Sequence, residues 1–487
     1  GTASPGTERD SGSALGTCAV CGKNATLRCA GCRNRFYCDK QHQREDWSKH
    51  KASCRAWEMR ENEELGRHLI ASRDLEAGDM IVSETPIIWG PAPHSTARVC
   101  VGCGDPKVFV KCPGCNWFAC RVSCEGLVDD NRHGIECSFL VFFLSRYDVL
   151  LALRVLILRR RSPKRWAILA AMQSHEESRG PGTEAHDETE LVARHLKPLL
   201  ALDASSEQVL PKVCGIIDVN ALETNPPEGS VAIYETACLL EHSCVANTRH
   251  SFSVDAKGRP RITVRAVTSI KKGDHLSTMY THALWSTLAR REHLLATKYF
   301  ECRCERCEDP TELGSHLGTL KCLCGSGLVL PNNPLDSETE WSCTTCPGRL
   351  TASEVSQLTE RLADDVEAAM GVARKDSLSD LLSRLSVLLH PGHQHCIAVG
   401  HSLMQLLSAE DPKKTVICKR IIETTSILDP HGARLPLYTA VALRELAACP
   451  GQDRQELLGR AANLLRAEPP NGPGEELLRL IERELAI

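Results

Sequence analysis

The sequence has no surplus of charge of one sign. Lys and Arg number 58 against 62 Asp and Glu, a formal net charge of −4. That balance excludes a chain-wide electrostatic hold on nucleic acid and leaves only local patches to consider. A membrane-length apolar run is also missing. The best stretch, Phe139 to Leu158, is interrupted by Arg146, Asp148 and Arg154, and charges at mid-membrane are costly. A buried amphipathic helix is expected there instead, with no membrane partner. No signal peptide is recognisable, and the start at Gly1 rather than Met is expected of a truncated or processed end. Nor is there a bias toward disorder or fibre. Hydrophobic residues are 42% and charged residues 25%, ordinary globular values, and 487 residues suggest roughly three domains.

Cysteine is present in excess, with 26 in the chain. Most lie in short C-x-x-C type pairs interleaved with His, which is metal spacing rather than a disulfide framework. A reducing intracellular compartment, cytoplasmic and nuclear, and several structural Zn2+ ions are therefore expected. The first cluster reads Cys18-x2-Cys21, Cys29-x2-Cys32, Cys38-x3-His42 and His50-x3-Cys54. Thiolate and imidazole are the ligands zinc prefers, and eight of them make two tetrahedral sites. The paired order predicts cross-bracing, with Cys18, Cys21, Cys38 and His42 on one ion and Cys29, Cys32, His50 and Cys54 on the other. A helix over Gln41 to Lys51, containing Trp47, would carry His50 into the second site. So short a segment buries little core, so metal binding supplies its folding energy.

The plan repeats at Cys100-x2-Cys103, Cys112-x2-Cys115, Cys120-x3-Cys124 and His133-x3-Cys137, which predicts a second finger of the same type. A third group, Cys302-x-Cys304-x2-Cys307, supplies three thiolates and needs a fourth ligand from elsewhere. The fourth group, Cys322-x-Cys324 with Cys343-x2-Cys346, resembles a zinc ribbon. These sites are closed, with no open position for a water nucleophile, so zinc hydrolysis is a poor reading. Cys214, Cys238, Cys396, Cys418 and Cys449 stand singly and are expected as small buried hydrophobes.

Along the chain, 1–17 reads as a flexible tail and 18–54 as the first finger. Residues 62–99 carry strand signals around Met80-Ile81-Val82 after a turn at Glu76 to Asp79. The second finger occupies 100–137. Residues 138–213 form a mainly helical insertion, with helical patterns over 138–173 and 190–220 and a loop between Ser174 and Glu190. Residues 214–300 hold a hairpin, Ser251–Val254 and Arg261–Val267, joined through Asp255 to Gly258. The Cys302 and ribbon groups fill 301–350. From 353 to 487 the pattern is helical, with breaks at Pro391-Gly392, Pro430 and Pro469-Pro470.

Several motifs carry a family resemblance. The first finger resembles a MYND finger through Phe36-Tyr37-Cys38, Gln43, Trp47 and His50-Lys51-x2-Cys54, with His42 in place of the more usual Cys. The second finger lacks a Trp at the position matching Trp47. Segments Gly66-Arg67-His68-Leu69 with Gly78-Asp79, Asn220-Ala221-Leu222, Glu241-His242-Ser243-Cys244, Tyr280-Thr281 and Tyr299-Phe300-Glu301-Cys302-Arg303-Cys304 resemble a SET domain. A SET domain split by a finger and closed by Cys-x-Cys-x2-Cys is similar to the SMYD family. The additional finger and the ribbon resemble an arthropod-expanded branch of it. The resemblance implies an α+β architecture: a SET β-clip fold interrupted by a zinc-finger and helical insertion, with a C-terminal all-α, TPR-like domain.

It also implies an enzyme, a protein-lysine N-methyltransferase using S-adenosylmethionine on a histone or non-histone protein. Carried over by position, Gly66 and Arg67 would line the cofactor and Asn220 would bond its methionine part. Glu241 would also lie at the cofactor, His242 would hold it near the adenine end, and Phe300 would stack on the ring. Tyr280 would be catalytic, at the neck of the lysine channel. Cys244 would complete the zinc site of Cys302, Cys304 and Cys307. Methyl transfer to a neutral amine needs alignment and exclusion of water rather than a metal or strong base. Two positions depart from the family: Glu241 stands where Asn is usual, and His68 where the second Gly of a Gly-x-Gly opening is usual. The alternative expectation is a catalytically weak or inactive scaffold or corepressor, with a part in transcription regulation. Docking of proline-containing peptides is what MYND resemblance implies for the first finger, whose basic surplus makes DNA a lesser expectation because no base-reading element is evident.

Overall fold

The computed structural model describes residues 4–9, 16–143 and 146–487, and the chain divides into two compact units, Gly1–Glu241 with Asn247–Ser277, and His242–Ala246 with Thr278–Ile487. Of the tail expected to be flexible, residues 1–3 and 10–15 lie outside the described residues. The rest corrects that expectation. Thr7–Arg9 pairs antiparallel with Leu27–Cys29, which pairs in turn with Phe36–Tyr37. Glu8 meets Arg33 at 3.2 Å and Arg28 at 3.7 Å, so charge as well as ladder holds this strand.

In the first unit, the helix Lys40–His50 begins where Asp39 Oδ1 accepts from the His42 amide at 2.8 Å. Trp57–Asn62 and Gly66–Ala71 form a hairpin. Met80–Glu84 pairs with Pro260–Ala266, which pairs with Thr248–Val254. Ile88–Pro91 pairs with Ser230–Ile233, which pairs with Leu222–Thr224. The expected hairpin is thus present, longer by three residues at Thr248, and its second strand is the centre of a three-stranded sheet in which Phe252, Ile262 and Val264 are buried.

The expected buried helix is found in two pieces, Cys137–Leu140 and Tyr147–Arg161, with residues 144–145 outside the described residues. It is not amphipathic. Every position from Val149 to Leu153 is buried, the mark of a helix surrounded by its neighbours. Pro163–Ala170, Glu184–Leu200 and Ala204–Asn220 follow. The expected loop is shorter than Ser174–Glu190 because Thr183 caps the helix Glu184–Leu200, its Oγ1 accepting from the His186 amide at 3.1 Å.

In the second unit, Leu320–Lys321, Leu328–Pro331, Trp341–Cys343 and Arg349–Leu350 make an antiparallel sheet. Helices then run from Ala352–Val372 to Pro473–Leu485, and those ending at Leu388, Leu428 and Leu465 stop just before the prolines noted above. Proline cannot donate to the preceding turn, and it pushes the residue before it out of the helical region. Among the described residues, no helix is long and apolar enough to cross a membrane.

Candidate functional site

The metal centres assemble as the spacing predicts. The ligand atoms of Cys18, Cys21, Cys38 and His42 lie within 4.8 Å of one another, and so do those of Cys29, Cys32, His50 and Cys54. The second finger has the same cross-brace: Cys100, Cys103, Cys120 and Cys124 form one group, Cys112, Cys115, His133 and Cys137 the other. Sulfur–sulfur separations decide what these groups can hold. A disulfide needs about 2.05 Å, whereas Zn–S bonds of about 2.3 Å give a tetrahedral edge of about 3.8 Å. Cys29 and Cys54 stand 3.8 Å apart, Cys103 and Cys120 3.7 Å, and Cys100 and Cys124 3.9 Å. His42 turns Nδ1 to its group, while His50 and His133 turn Nε2, 3.3 and 3.4 Å from Cys32 and Cys115. The ribbon fits as well, with Cys322–Cys346 at 3.6 Å and Cys324–Cys343 at 3.8 Å.

Cys244 does join Cys302, Cys304 and Cys307. Around that centre lies a shell that sequence reading missed. Arg290 is fully buried and donates from Nε to Cys244 Sγ at 3.2 Å, from Nη2 to Cys307 Sγ at 3.5 Å and from Nη1 to Glu312 at 2.6 Å. Four thiolates around a dication leave excess negative charge, and a guanidinium against two of the sulfurs offsets it.

His242 belongs to the same network. Its Nδ1 accepts from the Tyr280 amide at 2.9 Å. A backbone N–H can only donate, so Nε2 carries the ring proton and faces Cys244 Sγ at 3.3 Å. Both ring nitrogens are therefore engaged, and what His242 has left for a cofactor is its backbone and ring face. That ring lies 5.2 Å from Tyr280 and 5.9 Å from Phe300, and the Tyr280 and Phe300 rings meet edge-to-face at 6.4 Å. Phe300 follows Tyr299, whose φ of +61° ends the helix Thr287–Lys298.

The remaining candidates lie in the first unit. Gly66 has φ +64°, and nothing stands closer than 3.7 Å to where its Cβ would be; this is an open turn that an L side chain would strain. Arg67 donates to Ala171 O at 2.9 Å. Asn220 donates both amide hydrogens into the protein, to Gln173 O at 2.8 Å and Ile216 O at 2.9 Å. Its carbonyl oxygen is the atom left to accept from an ammonium. Glu241 accepts from His275 Nδ1 at 2.8 Å. In the first unit, an open glycine turn and two acceptors suit an amino-acid group; in the second, the aromatic trio offers ring faces that suit an adenine. A cavity of about 430 Å³ in the first unit is lined by Glu84, Arg165, Glu235 and Arg261 and includes none of these residues.

The MYND finger model matches residues 18–54 and the SET domain model residues 66–281. A Drosophila melanogaster protein named SET domain-containing protein SmydA-8, isoform A, is 27% identical over 315 residues, 60% of this chain and 64% of that one. The chain carries a MYND finger and a SET domain and is similar to SMYD proteins. Human N-lysine methyltransferase SMYD2 is 27% identical over 256 residues, 50% of this chain and 58% of that protein. Histone-lysine N-methyltransferase ASHR1 of Arabidopsis thaliana is 23% identical over 270 residues, 50% of this chain and 53% of that protein. The chain thus spans less than two thirds of the length of each of these relatives.

Two ion pairs built on buried carboxylates of the fingers also escaped the sequence reading. Asp46 accepts from Arg35 Nε at 2.7 Å and from Tyr37 Oη at 2.8 Å beneath the first finger. In the second, His133 Nδ1 lies 3.0 Å from Glu136, which Arg154 grips through Nε and Nη2 at 2.8 and 2.7 Å. A signal was available: Arg154 is the one charged residue in the apolar run Val149 to Leu158, and a cation taken from water requires a carboxylate. Of the five single cysteines, Cys214, Cys396, Cys418 and Cys449 are buried, while Cys238 is half-exposed and donates to Glu235 O.

Proposed function

We propose that this chain is a SMYD-type protein-lysine N-methyltransferase that takes its methyl group from S-adenosylmethionine. The observation that carries the reading is the tie between the aromatic trio and the four-cysteine centre: the Tyr280 amide bonds His242, and His242 bonds Cys244. A rigid metal site thereby orients Tyr280 and Phe300, as in-line displacement demands. The cofactor supplies an electrophilic methyl on a sulfonium. Tyr280 orients the lysine amine, and the apolar faces of Phe300 and Tyr280 exclude water. Gly66, Arg67, Asn220 and Glu241 receive the amino-acid end, and the His242 backbone lies toward the adenine end. The fingers recruit the protein substrate, the first by docking proline-containing segments. Cytoplasmic and nuclear residence and a role in transcription regulation complete the proposal, supported by cysteines grouped as metal ligands rather than disulfides.

The test is calorimetric titration of zinc-loaded protein with S-adenosylmethionine, alongside Tyr280→Phe. Micromolar binding, kept in Tyr280→Phe while turnover on a protein substrate falls, is expected. No binding up to millimolar cofactor with zinc intact would overturn the reading. It would favour a second one, a SET scaffold without activity, for which the engaged amide of Asn220 and the carboxylate of Glu241 speak.

A further inference from the structure

The two departures from the family pattern, His68 and Glu241, are far apart in sequence and touch the same residue. Segment 274–276 runs along the strand Gly66–Ala71: the Ala71 amide donates to Asp274 O at 2.8 Å and the Leu276 amide to Leu69 O at 2.9 Å, with Ile70 opposite His275. His68 is two residues from Ile70 and so lies on the same face, diagonal to His275. Their rings stack at 4.8 Å with 15° between planes. His68 is 4% exposed, and its Nδ1 faces Gly66 O at 3.0 Å. A carbonyl only accepts, so this nitrogen donates, and the bulky ring braces the positive-φ turn instead of blocking it. Asn247 Nδ2 holds the His275 carbonyl at 2.8 Å. With its backbone pinned and its ring stacked, His275 donates Nδ1–H to Glu241 Oε2 at 2.8 Å.

That hydrogen bond changes what Glu241 offers. Oε2 is engaged inside the protein, and that bond fixes the carboxylate plane, so Oε1 points its lone pairs in a direction set by His275. We propose that His275 is a positioning residue, supported by stacked His68, that makes Glu241 a directed acceptor for the α-ammonium group of S-adenosylmethionine. The proposal rests on the cofactor reading above. It assigns the two departures one shared purpose, in which each needs the other.

The test compares S-adenosylmethionine with 5′-methylthioadenosine, which lacks the amino-acid end, by calorimetry on the full zinc-loaded chain. His275→Ala is expected to weaken the first ligand by about tenfold or more, the scale of a hydrogen bond to a charged group, and to leave the second unchanged. Glu241→Gln is expected to do the same, because a carboxamide that accepts from His275 turns its NH2 toward the ammonium. In the His275→Ala background, Glu241→Asn is expected to recover affinity. Equal losses for both ligands would reveal a merely structural role and overturn the proposal, as would wild-type affinity in both variants. Should His275→Ala lose zinc or fold, Glu241→Gln decides alone, since it removes no volume. Wild-type protein that binds neither ligand would overturn the cofactor reading and this proposal together, a result distinct from binding without discrimination.

Discussion

Replacing Arg154 by Ala should release the second finger from the helical core of the first unit. Arg154 donates to Trp89 O at 2.9 Å, to Val101 O at 2.7 Å and to both oxygens of Glu136. It reaches Trp89 only because Gly90 has no side chain: a Cβ there would lie 2.7 Å from Arg154 Nη1. Glu136 is 1% exposed, so the alanine variant strands a buried carboxylate beside a zinc ligand. Breaking one partner of a buried pair costs about 3–5 kcal/mol. At roughly 2–4 °C per kcal/mol for a unit of this size, a fall of about 10 °C in the first calorimetric transition is expected. Burial by itself would raise the Glu136 pKa, but the Arg154 charge and the His133 hydrogen bond outweigh it, and the carboxyl titrates below its usual range. Stability from the pair is therefore fully present above the unfolded value of about 4.3 and is lost as pH falls through the lower folded value. The difference in stability between wild type and Arg154→Ala should shrink in that acid window. A variant within about 1 °C of wild type at neutral pH, with zinc content unchanged, would refute the reasoning.

Other consequences follow from the same chemistry. Glu136→Gln should lower zinc affinity of the second finger by about 10- to 100-fold, read by competition with a chromogenic chelator, while the first finger is unaffected. Gly327→Ala should expel metal from the ribbon, because its Cβ would fall 2.0 Å from Cys343 Sγ; mass spectrometry under native conditions should then count five zinc ions where wild type holds six, one per ligand group. Chelation should make 18–54 protease-sensitive first, since its core holds little beyond Ala25, Leu27, Tyr37 and Trp47. In the second unit, burial with charge from His316, Arg420 and Lys321 pushes His390 down to about 4, and burial pushes His393 well below its usual value. His390 Nδ1 accepts from the Gly392 amide and His393 Nδ1 from the His395 amide. The folded unit thus takes up fewer protons than the unfolded chain below about pH 6.5, and its melting temperature should fall from there toward pH 4. A flat profile over that window would contradict it.

Much of the metal chemistry was readable from spacing, because the ligands of one ion come in local pairs and chelate geometry tolerates few alternatives. The cross-brace of 18–54, its repeat at 100–137 and the ends of the C-terminal helices at proline all rest on such short-range rules. The strand at Thr7–Arg9 was not readable, since its polar residues carry no period and their partners lie near Cys29. The continuous apolar pattern before Leu158 hid the break between Cys137–Leu140 and Tyr147–Arg161. Asn220 and His242 were named from the family resemblance, but which of their atoms are already bonded was out of reach of any motif.

By itself, the sequence determined that this chain folds around several zinc ions and belongs with SET and MYND proteins, because ligand identity and spacing are properties of short segments. Only the tertiary structure decided that Arg154 answers Glu136, that Arg290 covers the thiolates of Cys244 and Cys307, and that His275 joins Glu241 to His68. Buried charges and imidazoles must find partners of matching chemistry, and those partners are chosen by strand register and helix packing across long stretches of chain, which no local pattern records.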